Sequence, residues 1–228
     1  MSLLSVILFS SGLAAQKYSQ SADFSLNFNT MQGFEPAPIA FTGLYSINSK
    51  RLSAEGGLLV STGESQITLK GAFDFIARPK IHVGSGVIYN FNVFYDISLS
   101  NNFLPTLFIK WKPCTIYQLS LDLSFFLKLR TLFVLKDYQP LLLNTSAAFR
   151  LRNDFYLPRN INLFIEVSSI ETFRYMILCA PSFSFGGLIP INEKIELQAD
   201  ATIHYIDFFT LSANYEDTTI RLGVKYKW

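Results

Sequence analysis

This sequence is poor in charge. Asp, Glu, Lys and Arg make up 16 % of its 228 residues, where soluble domains typically carry about 25 %. The 19 basic and 17 acidic side chains nearly cancel, leaving +2. That balance provides no concentrated basic face, so a nucleic-acid partner is not expected. Two cysteines, Cys114 and Cys179, are too few for a disulfide-stapled scaffold. Both are expected on strands that are not neighbours, too far apart for a bridge. A spanning helix needs roughly 20 mostly apolar residues in a row. No such run exists, and the most apolar long segment, Phe125 to Leu135, carries Lys128 and Arg130 in its middle. There is no helical period, linker, charge run or low-complexity stretch. Phosphate-loop and zinc-ligand spacings are missing as well. Gly84-Ser-Gly86 lacks the third glycine of a dinucleotide fingerprint and falls inside a strand, where close packing or a bend accounts for it. No cofactor and no metal site are expected.

What the sequence has is phenylalanine and alternation. Aromatic residues make up 15 %, and 22 residues are Phe. Apolar and polar residues alternate with period two along most of the chain, the mark of strands with two unlike faces. Phe24, Leu26 and Phe28 alternate with Asp23, Ser25 and Asn27. Leu119, Leu121 and Leu123 alternate with Gln118, Ser120 and Asp122. Leu197, Ala199 and Ala201 alternate with Glu196, Gln198 and Asp200. A sandwich core tolerates few such charges, because an unpaired buried charge is costly. A sandwich with its charges in bulk water would carry a normal polar surface, and the charged fraction would not be so low. A membrane barrel with a wet interior fits both facts, its apolar set facing lipid. Barrels also satisfy their backbone in lipid without a helix.

Met1 to Ala15 has a short apolar core, Leu3 to Phe9, followed by small residues and Ala14-Ala15. This is the layout of a secretory signal peptide cleaved near Ala15. The alternative is a buried first strand or helix. The expected organisation is a signal peptide over 1–15 and a β-barrel over 16–228.

Turn signals set the strand count. They fall at 31–38, 48–51, 61–63, 78–79, 100–102, 112–113, 136–140, 153–160, 168–172, 186–193 and 216–217. Eleven turns make twelve strands. The segments Thr115 to Leu135 and Lys194 to Tyr215 exceed the about 9–11 residues of a spanning strand. The first also slips phase near Lys128 to Thr131. Splitting both gives fourteen strands, an all-β, antiparallel, up-and-down barrel closed by its first and last strands. Fourteen also places the longest connections on the outer side, as bacterial barrels do. Twelve is the alternative count.

The chain ends Arg221-Leu-Gly-Val-Lys-Tyr-Lys-Trp228. Arg221, Gly223, Tyr226 and Trp228 resemble, position by position, the C-terminal signal of bacterial outer-membrane β-barrels. The resemblance implies export to the bacterial outer membrane, contact with its lipid, and reading of this segment by the barrel-assembly machinery. The final aromatic would anchor the last strand at the interface. No subfamily is identified by these residues.

By alternation, the inward cations include Lys70, Lys110, Lys128, Arg150, Arg152, Arg174, Arg221 and Lys225. The inward anions include Asp23, Glu55, Asp74, Asp96, Asp122, Glu166, Glu196 and Asp200. Matching numbers argue against a strong ion preference, although local rings of charge select in their own right. The alternative is that these charges pair across neighbouring strands and stabilise a narrow lumen. Ile88, Phe94, Phe108, Phe126, Phe164, Met176, Leu178 and Phe208 are also expected inward, as a constriction or a path for hydrophobic solutes. His204 and His82 face inward too. His204 stands beside Thr202 and Asp200, but no serine on a sharp turn completes a catalytic set, so no enzyme is expected. The expected function is an outer-membrane, porin-like channel for passive diffusion of small or partly hydrophobic solutes. The alternative is a non-conducting structural or adhesive barrel.

Overall fold

A computed structural model describes residues 18–31, 39–61, 64–94, 98–132, 142–170, 181–205 and 215–228. The described residues form β1 (Ser19–Met31), β2 (Ile39–Asn48), β3 (Leu52–Ser61), β4 (Glu64–Arg78), β5 (Ile81–Phe94), β6 (Ser98–Cys114), β7 (Tyr117–Leu132), β8 (Leu142–Tyr156), β9 (Asn162–Ser168), β10 (Ser182–Pro190), β11 (Ile195–Tyr205) and β12 (Tyr215–Lys227). Each strand is hydrogen-bonded to its sequence neighbours, and β1 pairs with β12. The result is a closed antiparallel barrel of twelve strands, with no open edge. No helix among the described residues is long and apolar enough to cross a membrane. Their one helical turn, Pro158–Asn160, links β8 to β9.

Twelve strands replace the preferred fourteen, and the reasons are specific. Thr115 to Leu135 was split because its alternation slips. In the structure β7 runs unbroken and keeps one register with β8 from Tyr117↔Phe155 to Arg130↔Leu142. Lys128 and Arg130 stay in phase with Asp122, Ser124 and the buried Phe126, so the strand does not change face at 128–131. No turn lies at 100–102, where Ser100 to Asn102 pair with β5. β5 ends at Phe94 and β6 begins at Ser98. The turn expected at 216–217 lies inside β12, since β11 ends at Tyr205 and β12 begins at Tyr215. Asn153 to Tyr156 and Gly186 to Pro190 are strand rather than loop. Of these two expected loops only 157–161 and 191–194 remain, at the end of the barrel where the described chain starts and finishes. Longer connections, such as 133–141 and 169–181, join strands at the opposite end.

Proline shapes the longest strand. β6 contains Pro105 and Pro113, and its ladder with β7 is interrupted at both places. Proline has no N–H to donate, so the ladder must skip there. The turn expected at 112–113 is accordingly a bulged strand end, and the chain reverses at Thr115-Ile116.

Outward residues are apolar around the whole ring, as shown by the exposed Phe24, Phe41, Leu69, Leu107, Leu123, Phe185 and Leu222. Tyr45, Trp111, Tyr117, Tyr226 and Trp228 point outward near the end that holds the chain termini. Aromatic residues favour that position at a membrane interface. Cys114 is a free, exposed thiol at this end. Twelve strands at ~4.8 Å spacing, tilted ~40°, give a backbone radius of roughly 12 Å, narrower than the roughly 14 Å of fourteen strands.

Candidate functional site

The inner face of the barrel carries charges that meet across adjacent strands. Asp122 on β7 and Arg150 on β8 are register partners and form an ion pair. Arg152, two residues on, reaches Asp154 at 3.0 Å and Glu166 on β9 at 3.5 Å. Arg221 on β12 donates Nε–H to Asp200 on β11 at 2.8 Å. Lys227 pairs with Glu196. Glu55 and Lys70 are register partners on β3 and β4. Lys70 also lies within electrostatic reach of Asp122 and Arg150 on the facing wall, which marks how narrow the barrel is at this level. Asp23 likewise couples to Arg221, Lys225 and Asp200 across the β1–β12 seam. These charges form a belt in which each sign neutralises the other locally.

Alternation alone would have found two members that the sequence reading missed. Asp154 keeps the inward phase of Arg150 and Arg152, and Lys227 keeps that of Lys225. Asp154 falls in the turn expected at 153–160, and the expected inward series of the last strand stops at Lys225. Phe94's side chain and the residues Asp96, Arg174, Met176, Leu178, Phe208 and Cys179 lie outside what the structure describes.

The inward apolar residues do not offer a surface to a passing solute. Ile88, Phe108, Phe126 and Phe164 are each at most 6 % exposed. The Phe108 ring lies over Gly84, where an added Cβ would come within 2.4 Å of Phe108 Cζ and 2.2 Å of the Phe73 carbonyl oxygen. Close packing is therefore the role of this glycine. Lys110 Nζ sits 5.1 Å from the Phe108 ring centre, and the Arg152 guanidinium 4.0 Å from that of Phe164. Both rings are capped by cations. Ile88, Leu104, Phe126 and Ala148 form one cluster with Ile170, which follows β9 and turns back inward. The Ser168 hydroxyl fixes that turn by accepting from Ile170 N–H at 2.9 Å and donating to its carbonyl at 3.0 Å. Leu104 keeps the inward phase of Phe108, which alternation could have found, whereas Ile170 falls in the turn expected at 168–172, where alternation assigns no face.

Beside this cluster, β4 to β6 bury uncharged polar groups. Gln66, Thr68, Asn90, Asn92 and Ser100 are all at most 2 % exposed. Thr68 donates to Asn90 Oδ1 at 2.8 Å, and Ser100 to Asn102 Oδ1 at 2.9 Å. These side chains pack the interior at this level.

His204 is buried, with Thr219 Oγ1 at 3.4 Å from Nε2. Its expected companions are engaged elsewhere. Thr202 bonds Ser184 at 2.8 Å, and Asp200 accepts from Arg221 and Gln198. His82 Nδ1 lies 2.6 Å from Asp74 Oδ2. Among the described residues no group of three or more His, Cys, Asp or Glu could hold a metal.

At the seam, Gly223 faces inward, where a Cβ would meet Ser25 Cβ at 2.8 Å and the Phe24 carbonyl at 3.0 Å. Trp228 packs on Tyr45 and Tyr226, with ring centres 5.7 and 5.5 Å away. Its indole N–H donates to Gln20 Oε1 at 2.7 Å, and Tyr45 O–H donates to the same oxygen at 3.0 Å.

Fold and interior together define a closed, charge-lined barrel with an apolar outer wall. No family model and no curated protein matches the chain. Solved structures do. The chain is similar in fold to the NanC porin, with a TM-score of 0.67 at 9 % identity over 91 % of this chain and 100 % of that one. It is similar to the KdgM porin, with a TM-score of 0.57 at 10 % identity over 90 % and 99 %. An outer membrane channel from Pseudomonas putida F1 gives a TM-score of 0.54 at 8 % identity over 95 % and 97 %. At these identities the likeness is one of fold, that of a closed antiparallel β-barrel, here of twelve strands.

Proposed function

We propose that this chain is a channel of the bacterial outer membrane, through which small solutes diffuse passively. The observation that carries the reading is the opposition of the two faces. The outer wall is apolar all round, while the inner wall holds ionised side chains that require water or partners. The names of the similar folds, two porins and an outer membrane channel, support it. Export through residues 1–15 and assembly through Arg221, Gly223, Tyr226 and Trp228 belong to the same proposal. So does the role of Lys70, Asp74, Lys110, Asp122, Arg150, Arg152, Glu166, Glu196, Asp200, His204 and Arg221 as the lining of the path. Small hydrophilic solutes fit this interior best, because Ile88, Phe108, Phe126 and Phe164 are covered. No step of this function requires catalysis.

A second reading is a non-conducting barrel. The buried cluster around Leu104 and the locally paired charges favour it. Planar-bilayer recording of the refolded protein separates the two. Discrete conductance steps are expected. A wild-type protein that inserts but shows none, over a range of voltages and salts, overturns the channel in favour of the closed barrel.

A further inference from the structure

The barrel mouth at the terminus end holds a cavity that the ion-paired belt does not explain. Its volume is about 300 Å³, and its wall includes Lys50, Arg51, Lys110 and Lys112 together with Asp74 and His82. Asn48, Ser53 and Gln118 add neutral hydrogen-bonding groups to the same wall. The belt deeper inside neutralises itself, and this cavity does not. Its one carboxylate, Asp74, is 2.6 Å from His82. None of its four permanent cations lies within ion-pair distance of a carboxylate among the described residues. Lys112 instead lies 4.7 Å from the Tyr156 ring centre, and Lys110 sits over Phe108.

The frame of the cavity is fixed in advance. Asp74 N–H donates to the Arg51 carbonyl at 2.8 Å, tying the bulge of β4 to the β2–β3 turn. Lys112 N–H donates to the Lys80 carbonyl at 2.8 Å, tying β6 to the β4–β5 turn. The Ser49 hydroxyl accepts from Leu52 N–H at 3.0 Å and holds the turn that presents Lys50 and Arg51. Cations gathered on a preformed concave frame lose little freedom on binding an anion, and a partly enclosed site strengthens their attraction. Arg51 adds a planar fork suited to an oxyanion, and the lysines add mobile point charges.

We propose that this mouth is a binding site for a compact, hydroxylated anion, held by its carboxylate or phosphate group on Lys50, Arg51, Lys110 and Lys112. The site deepens the channel reading, since an anion gathered at one mouth is concentrated for passage. Binding at the mouth is nevertheless measurable in a barrel that does not conduct.

The test is calorimetric titration of the refolded full chain in detergent with inorganic phosphate and, separately, with gluconate, at low ionic strength. Saturable binding of at least one is expected. The double variant Lys50→Gln, Arg51→Gln should weaken it about tenfold or more. Lys194→Gln, an exposed lysine of the β10–β11 turn outside the cavity, should leave it unchanged. Heat-modifiable gel mobility checks that each variant forms the barrel. No saturable binding of either anion overturns the proposal, and so does equal weakening by Lys194→Gln, which would show diffuse attraction. Binding without conductance upholds the site and rejects the channel. Conductance without binding does the reverse.

Discussion

The two sides of this barrel are built to different heights. β6 and β7 have 17 and 16 residues, while β9 and β10 have 7 and 9. The tall wall, β4 to β8, covers its inner face with Leu104, Phe126 and buried amides. The low wall, β9 through β12 and on to β3, leaves Asp23, Glu55, Arg221 and Lys225 partly exposed inside. Height and filling go together for a physical reason. A strand that extends further can be covered on its inner face by chain from the far end, as Ile170 does. Once covered, that face favours apolar and hydrogen-bonded groups, although both amide atoms of Asn92 are buried there without a partner among the described residues.

The largest expected effect lies at the centre of the tall wall. Leu104→Ala removes a side chain with 0 % exposure from the inner cluster, and should cost about 2–5 kcal/mol of folding stability. Leu44→Ala, inward on the low wall and only half-buried, should cost less than about 1 kcal/mol. Urea titration of the folded barrel in detergent or lipid measures both. Equal losses would show that the two inner walls are filled alike.

On the outside the two walls should behave alike. Leu123 on β7 and Leu222 on β12 are about half-exposed on the apolar surface. Arg at either position should cost about 2–4 kcal/mol near the bilayer midplane, falling to about 0–1 near an interface. Refolding titrations into vesicles read this out. A large cost for one and none for the other would mean that the barrel does not cross the membrane as a full ring. Ser124→Arg, one residue along and facing inward, separates burial from lipid exposure.

Arg150 joins the two regimes. Arg150→Gln leaves Asp122, whose side chain is 6 % exposed, without its cation. Breaking a fully buried pair costs about 3–5 kcal/mol. The Arg150 side chain is 26 % exposed, so solvent reduces this to about 1–3 kcal/mol. If the channel conducts, neutralising Arg150 and Arg152 together should shift its selectivity toward cations. The shift should be larger at low salt, because screening shortens to ~3 Å at 1 M. Reversal potentials under a salt gradient measure it, and an unchanged value places these residues away from the conducting path.

These same residues show what was legible beforehand. The barrel class followed from charges on alternate positions of Phe-rich strands, because only a structure with an apolar outside and a polar inside uses both. Asp122, Arg150, Glu166, Asp200 and Arg221 were placed inward by period two alone. The count failed where period two breaks for packing reasons. Phe125 to Leu127 is apolar at every position and Arg130-Thr131 polar at both, so a continuous β7 resembled two strands. Pro113 suggested a turn that β6 passes through. The mouth cavity was not legible at all. Lys50 and Arg51 belong to a turn, where alternation assigns no face, and only strand order brings them near Lys110 and Lys112.

The smallest expected effect is at the seam of the low wall. β1 and β12 already share a ladder from Ser21↔Lys227 to Met31↔Asp217. Beyond its end, Gln20 Oε1 accepts from both Trp228 and Tyr45 and so links β12, β1 and β2 at the outer rim. Gln20→Leu removes both bonds while keeping side-chain bulk. A net hydrogen bond contributes about 0.5–1.5 kcal/mol, and Trp228 is 53 % exposed, so water or lipid headgroups can replace its partner. The expected loss is about 1 kcal/mol or less in the urea titration. A loss several times larger would mean that closure depends on this rim contact more than on the ladder itself. The low wall would then be weak at its seam, whereas the tall wall is secured by its filled interior.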